Sequence, residues 1–141
     1  MARGYSHTNG NAILNVYNSV VSNNNGVGNN NNNGVGIHIL YGIGNIKDSV
    51  ISNNIATGGT GGGIFVDQGD VSITNTLISN NVANDAGGLY FQSGTTHTTI
   101  IIRQSSFVNN SATEGKDIYG HSGAITLVNT VLPTEATSGQ V

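Results

Sequence analysis

The chain has no cysteine, no tryptophan and one proline, and its fixed charges come to 4 Lys or Arg against 7 Asp or Glu in 141 residues. Each scarcity removes a class of function. Without cysteine there is no disulfide framework, no thiolate nucleophile and no thiolate zinc site. Arg3, Lys47, Arg103 and Lys116 are the only fixed cations, too few for the phosphate contacts a nucleic-acid binder needs. No apolar run approaches the roughly 20 residues of a membrane-spanning helix. The opening MARGYSHTNGNA has no apolar stretch of the kind a secretory signal carries, so the chain reads as a mature or excised piece, or as one not exported by that route. No stretch shows a helical apolar stripe.

What replaces charge is 22 Asn and 21 Gly, while 36% of residues remain hydrophobic. Polar low-complexity chains are often disordered because they bury too little apolar surface. Here the Ile, Val and Leu fall in regular runs, so the Asn reads as structural. One phrase recurs: NSVVSNN from Asn18, DSVISNN from Asp48, NTLISNN from Asn75, QSSFVNN from Gln104 and a truncated NTVLP from Asn129. A second follows it: GIHIL at Gly36, GGIFV at Gly62, GGLYF at Gly87, and KDIYG at Lys116, where the glycines give way to Lys-Asp. Two phrases drifting together at about 27 residues form one structural unit.

Inside each unit the apolar period is two, the mark of half-buried strands. An antiparallel sandwich has no need of the same residue type at the same place in every unit. A parallel β-helix does, because each residue stacks on its equivalent about 4.8 Å along the axis. The predicted fold is therefore all-β, a parallel β-helix of about four to five coils. It occupies 13–132, with an irregular N-terminal segment (1–12) and a C-terminal tail (133–141). Its inward columns are Val16/Ile46/Ile73/Ile102/Leu127, Val21/Ile51/Ile78/Phe107/Leu132 and Ile37/Ile64/Leu89/Ile118. Asn24, Asn54, Asn81 and Asn110 make a further column, read as a structural ladder of side-chain amides that satisfies turn backbone. The loops fall at 25–35, 56–62, 82–86 and 111–116, with further variable corners at 67–70 and 92–99.

FVNN at Phe107–Asn110 and GGLY at Gly87–Tyr90 resemble the repeats of polymorphic outer-membrane proteins and autotransporter-like adhesins. More widely, the chain resembles right-handed parallel β-helix repeats of the pectate-lyase-like superfamily. The resemblance implies right-handed coils. It also implies a surface role outside the cell, because related folds serve as adhesins, tailspikes, lyases and hydrolases.

Chemistry is sparse. Asp67 and Asp70 in VDQGD are the one close carboxylate pair, flanking a turn glycine as Asp commonly does. No catalytic residue, metal ligand or cofactor is expected. His7, His38, His97 and His121 share no metal-binding spacing. GTGGG at 59–63 is a turn, lacking the Lys-Ser/Thr and helix of a phosphate loop. Two outward strips remain. His38, Phe65, Tyr90 and Tyr119 place a ring on each coil and are the candidate ligand-binding residues, for sugar rings or a partner surface. Val20, Val50, Leu77 and Val131, interrupted by Ser106, make an apolar strip suited to lateral contact between copies. Because no capping helix is evident, open strand edges favour end-to-end self-association. The expected function is a non-catalytic extracellular or cell-surface structural or adhesive module that builds filaments. The alternative is a carbohydrate-binding or polysaccharide-processing β-helix, with a glycan or host surface as ligand.

Overall fold

The computed structural model describes residues 2–5, 12–27, 33–94, 97–133 and 137–139. His7, the 28–32 centre of the Asn-rich insertion and 95–96 of the 92–99 corner lie outside them. The described residues form no helix. They form four parallel sheets, each strand hydrogen-bonded to its equivalents one coil before and after. The result is a β-solenoid of about four full turns.

Each turn visits four faces. The first face carries Ala12–Tyr17, Gly42–Lys47, Asp70–Thr74, Thr99–Arg103 and Ala124–Val128; the second carries Val20–Ser22, Val50–Ser52, Leu77–Ser79 and Ser106–Val108. The third carries Asn25–Gly26, Ile55–Thr60 and Val82–Asp85; the fourth carries Ile37–Leu40, Ile64–Asp67, Leu89–Gln92 and Ile118–Gly120. The fourth face gains one strand at each end, Ala2–Tyr5 on Ile37–Leu40 and Thr137–Gly139 on Ile118–Gly120. Both added strands fall in segments expected to be irregular.

The register matches the sequence columns residue for residue. Val16, Ile46, Ile73, Ile102 and Leu127 pair in series, as do Ile37, Ile64, Leu89 and Ile118. Their side chains fill the lumen with Val21, Ile51, Ile78 and Phe107, and most are fully buried. Gly120 stands in an otherwise large column because the Phe91 ring occupies its space, 2.2 Å from where a Cβ would sit. A slip of one residue would turn every one of these side chains outward, so the alternation fixes the register.

The third face is a difference from expectation. Segments 56–62 and 82–86 read as loops because ATGGT and ANDA carry no apolar alternation. They nevertheless pair as strands, Val82 on Ile55 and Ala83 on Ala56, with Ser111 and Glu114 bridging to Val82 and Asp85. Besides the backbone ladder, the Thr60 N–H and Oγ1 both donate to Asn33 Oδ1 at 3.1 Å, and Ala56 and Ala86 are fully buried.

The corners are made by single residues in the left-handed region. Asn18, Asp48, Asn75, Gln104 and Asn129 (φ 47–51°) turn the first face into the second; Asn23, Asn53, Asn80 and Asn109 (φ 54–57°) turn the second into the third. Gly34, Gly61, Ala86 and Gly115 (φ 51–63°) turn the third into the fourth. Asn tolerates this conformation better than other residues with a Cβ, which accounts for much of the Asn excess.

Candidate functional site

The tandem Asn of each SNN phrase divides two tasks. The first Asn bends the chain and points to solvent; the second turns inward and builds the ladder. The Asn54 backbone N–H and Nδ2 both donate to Asn81 Oδ1 (3.0 and 2.9 Å). Asn81 repeats this toward Asn110 Oδ1 (3.0 and 3.0 Å), and Asn24 toward Asn54 Oδ1 (3.2 and 2.8 Å). The second Nδ2 proton of Asn54, Asn81 and Asn110 goes to the carbonyls of Val21, Ile51 and Ile78 respectively, at 3.0, 2.9 and 3.0 Å. The site is dry, Asn54 and Asn81 being fully buried.

Room for the ladder comes from the glycine phrase. A Cβ on Gly36 or Gly63 would lie 3.0 Å from Nδ2 of Asn54 or Asn81, and 2.3 or 2.7 Å from a backbone oxygen. Gly88 stacks in the same column, and the fourth member is Asp117. The Lys-Asp departure thus has a structural meaning: Asp117 Oδ1 accepts from Asn110 Nδ2 at 2.6 Å, ending the amide series with a carboxylate. Asp117 is buried, and that burial raises its pKa despite the Asn110 hydrogen bonds and the charge of Lys116, which lower it.

A second polar column runs beside the first corner. Ser49, Thr76 and Ser105 hydroxyls donate to the carbonyls two residues back (2.7, 3.0 and 2.8 Å), and Ser49 and Ser105 accept the N–H of Ser19 and Thr76 from the preceding coil (3.2 and 3.1 Å). This repeats the ladder's logic with hydroxyls. The sequence shows the Ser/Thr column but not which backbone groups it serves.

The aromatic column forms as the alternation requires, outside the lumen. His38 meets the edge of Phe65 at 4.9 Å; Phe65 stacks on Tyr90 at 5.3 Å and Tyr90 on Tyr119 at 5.5 Å, with planes within 12°. It is not, however, an open strip. Phe65 and Tyr90 are only 3% and 9% exposed and cluster with Ala86, while His38 and Tyr119 are half-buried. The corner residues Gly34, Gly61 and Gly115 lie so close that a Cβ there would strike the Cβ of His38, Phe65 or Tyr119 at 2.7–2.9 Å. The stack is a small second core between the third and fourth faces. Burial raises the Tyr90 pKa, and nearby Tyr119, Asp85 and Asp67 add to it. Tyr119 is raised chiefly by desolvation and then by Glu114, to which it is hydrogen-bonded. Asp85 is raised by burial and by Glu114. Both shifts favour the protonated phenol.

Asp67 and Asp70 do not act as a pair in hydrogen bonding. Asp70 Oδ1 accepts the Thr99 N–H of the next coil at 2.8 Å, and Asp67 faces Gln68 Nε2 at 3.5 Å. Among the described residues no three His, Asp or Glu side chains gather as a metal site would require. The strip on the second face is exposed at Val20 (69%), Leu77 (39%) and Val131 (61%). Beside it a shallow groove of about 370 Å³ follows the first corner, lined by Asp48, Val50, Asn75, Leu77, Gln104 and Ser106 among others. Its rim is tied by Asn75 Nδ2 donating to Asp48 Oδ1 at 2.7 Å.

No family model matches the chain, and no curated protein or solved structure matches it.

Proposed function

We propose that this chain is a non-catalytic structural or adhesive β-solenoid module of the cell surface or extracellular space, which self-associates through its ends. One observation carries the reading. Leu127 is 39% exposed although its column mates Ile46, Ile73 and Ile102 are 0–1% exposed. Among the described residues the lumen is thus less covered beside Ala124–Val128, the last strand of the first face. A less covered lumen is what another coil would close. The polar interior fits a structural role, since its ladders hydrogen-bond one coil to the next. The FVNN and GGLY repeats, which resemble those of surface adhesins, support the location. Sedimentation velocity across a concentration series tests it: species of rising mass are expected, and a constant monomer would overturn it.

A second reading, a glycan-binding module, draws on the carboxylates around the ring stack: Glu114 bonded to Tyr119, and Asp85 and Asp67 near Tyr90. Sugars are bound by rings flanked by such acceptors, but here the half-buried Tyr119 and His38 are the rings within reach. A glycan array with wild type and Tyr119→Ala separates the two readings, since loss of a measured affinity in the variant would favour this one.

A further inference from the structure

Among the described residues the fourth face has six strands and the first has five. That difference of one strand governs how two copies can stack. Suppose Ala12–Tyr17 of one copy continues the first face by pairing on Ala124–Val128 of another. Then Ile37–Leu40 of the incoming copy stands two strand levels from Ile118–Gly120 of the first, leaving one slot between them. Two strands claim that slot. Thr137–Gly139 of the first copy already pairs on its own Ile118–Gly120, and Ala2–Tyr5 of the incoming copy already pairs on its own Ile37–Leu40.

We infer that self-association is gated by this collision, and that Thr137–Gly139 is the strand that yields to Ala2–Tyr5 of a second copy. The inference rests on the end-to-end reading above and specifies its interface. Thr137–Gly139 is held by three residue pairs and Ala2–Tyr5 by four. The shorter strand gives up fewer backbone bonds. Once it leaves, Ala2–Tyr5 bridges the two copies, paired on both edges. The same move brings the half-buried Leu14 and Val21 of one end against Ile125, Leu127 and Leu132 of the other, closing the lumen. A strand tethered within its own chain competes at an effective concentration of about millimolar order. Assembly is therefore held back until chain concentration or loss of the strand overcomes it.

The chain has no cysteine, so an introduced pair is unique. Tyr119 and Ser138 are register partners, as are Arg3 and His38. In the full chain, Tyr119→Cys with Ser138→Cys is expected to assemble when reduced. When oxidised it should require at least about tenfold more protein, which corresponds to ~1.4 kcal/mol. Arg3→Cys with His38→Cys should assemble within about twofold of the same concentration in both states, against that tenfold threshold. Each protein is its own control for the substitutions, since only the disulfide changes. Sedimentation velocity gives the mass and negative-stain microscopy the shape. If the Arg3–His38 clamp blocks assembly and the other does not, or if neither clamp matters while all forms assemble, the gate is wrong and self-association stands. If every form, reduced and wild type included, stays monomeric, the self-association reading fails and takes the gate with it.

Discussion

Replacing Asn81 with Ala is expected to cost about 4–6 kcal/mol, because it removes four hydrogen bonds from a dry site. Two are accepted from Asn54, by its N–H and its Nδ2, and two are donated, to Ile51 O and Asn110 Oδ1. The Asn54 N–H loses the side-chain acceptor it uses and is left buried, at about 1–3 kcal/mol. The three remaining bonds contribute about 1 kcal/mol each. Asn24, half-buried at the end of the column, sends one side-chain bond into the ladder, Nδ2 to Asn54 Oδ1 at 2.8 Å. Because Asn24 is half-buried and Asn81 fully buried, Asn24→Ala should cost less than Asn81→Ala. The neighbour of Asn81 behaves oppositely. Asn80 is exposed at φ 54°, so Asn80→Gly should change stability by about 0.5 kcal/mol or less while Asn80→Ala costs about 1 kcal/mol. Equilibrium urea unfolding, with an osmolyte to keep weak variants folded, measures all four. A cost for Asn81→Ala below about 2 kcal/mol, or no greater than that for Asn24→Ala, would refute the ladder's energetic role.

Further outcomes follow from the same geometry. Gly63→Ala puts a Cβ 2.7 Å from Gly88 O and 3.0 Å from Asn81 Nδ2, so thermal melting should show a loss of about 1–3 kcal/mol; an unchanged midpoint would contradict it. Tyr90→Ala empties a buried place between two rings and should cost about 3–5 kcal/mol, whereas Tyr90→Phe should be nearly neutral by urea unfolding, the hydroxyl reaching only Gln92 Oε1 at 3.5 Å. Asp117→Asn keeps the Oδ1 acceptor and cannot ionise. Because burial raises the Asp117 pKa in the fold, the wild-type contribution is full below the ordinary carboxylate value and is lost as pH rises through the raised one. The Asn variant should therefore gain on wild type across that window and hold a constant advantage above it; a difference flat from about pH 3 to 8 would contradict the assignment.

Much of the coil was legible in the sequence, and the reason is visible in Ile46, Ile73 and Ile102. A lumen lined by identical positions one coil apart repeats its residue types, so alignment of the phrases recovers the register. The outward placement of Phe65, Tyr90 and Tyr119 follows from the same alternation. Their burial does not, because the residues that cover them, Gly34, Gly61, Ala86 and Gly115, are small and carry no hydrophobic signal. The third face was hidden for a related reason: Ile55–Thr60 and Val82–Asp85 hold together by backbone bonds. In Asn80-Asn81 the residue type is the same and only φ separates corner from ladder. The Lys-Asp departure was visible, yet its meaning needed the 2.6 Å contact of Asp117 with Asn110. The pairing of Ala2–Tyr5 and Thr137–Gly139 leaves no trace in MARGY or TSG, where backbone groups make the bonds.

End-to-end assembly is tested by electron microscopy of the chain at rising concentration, beside Leu127→Lys. Rods one solenoid wide that lengthen with concentration are expected from the wild type, with a repeat of about 4.8 Å along the axis, and no rods from the variant. Monodisperse particles of unchanging length at every concentration, or growth in width rather than length, would contradict it.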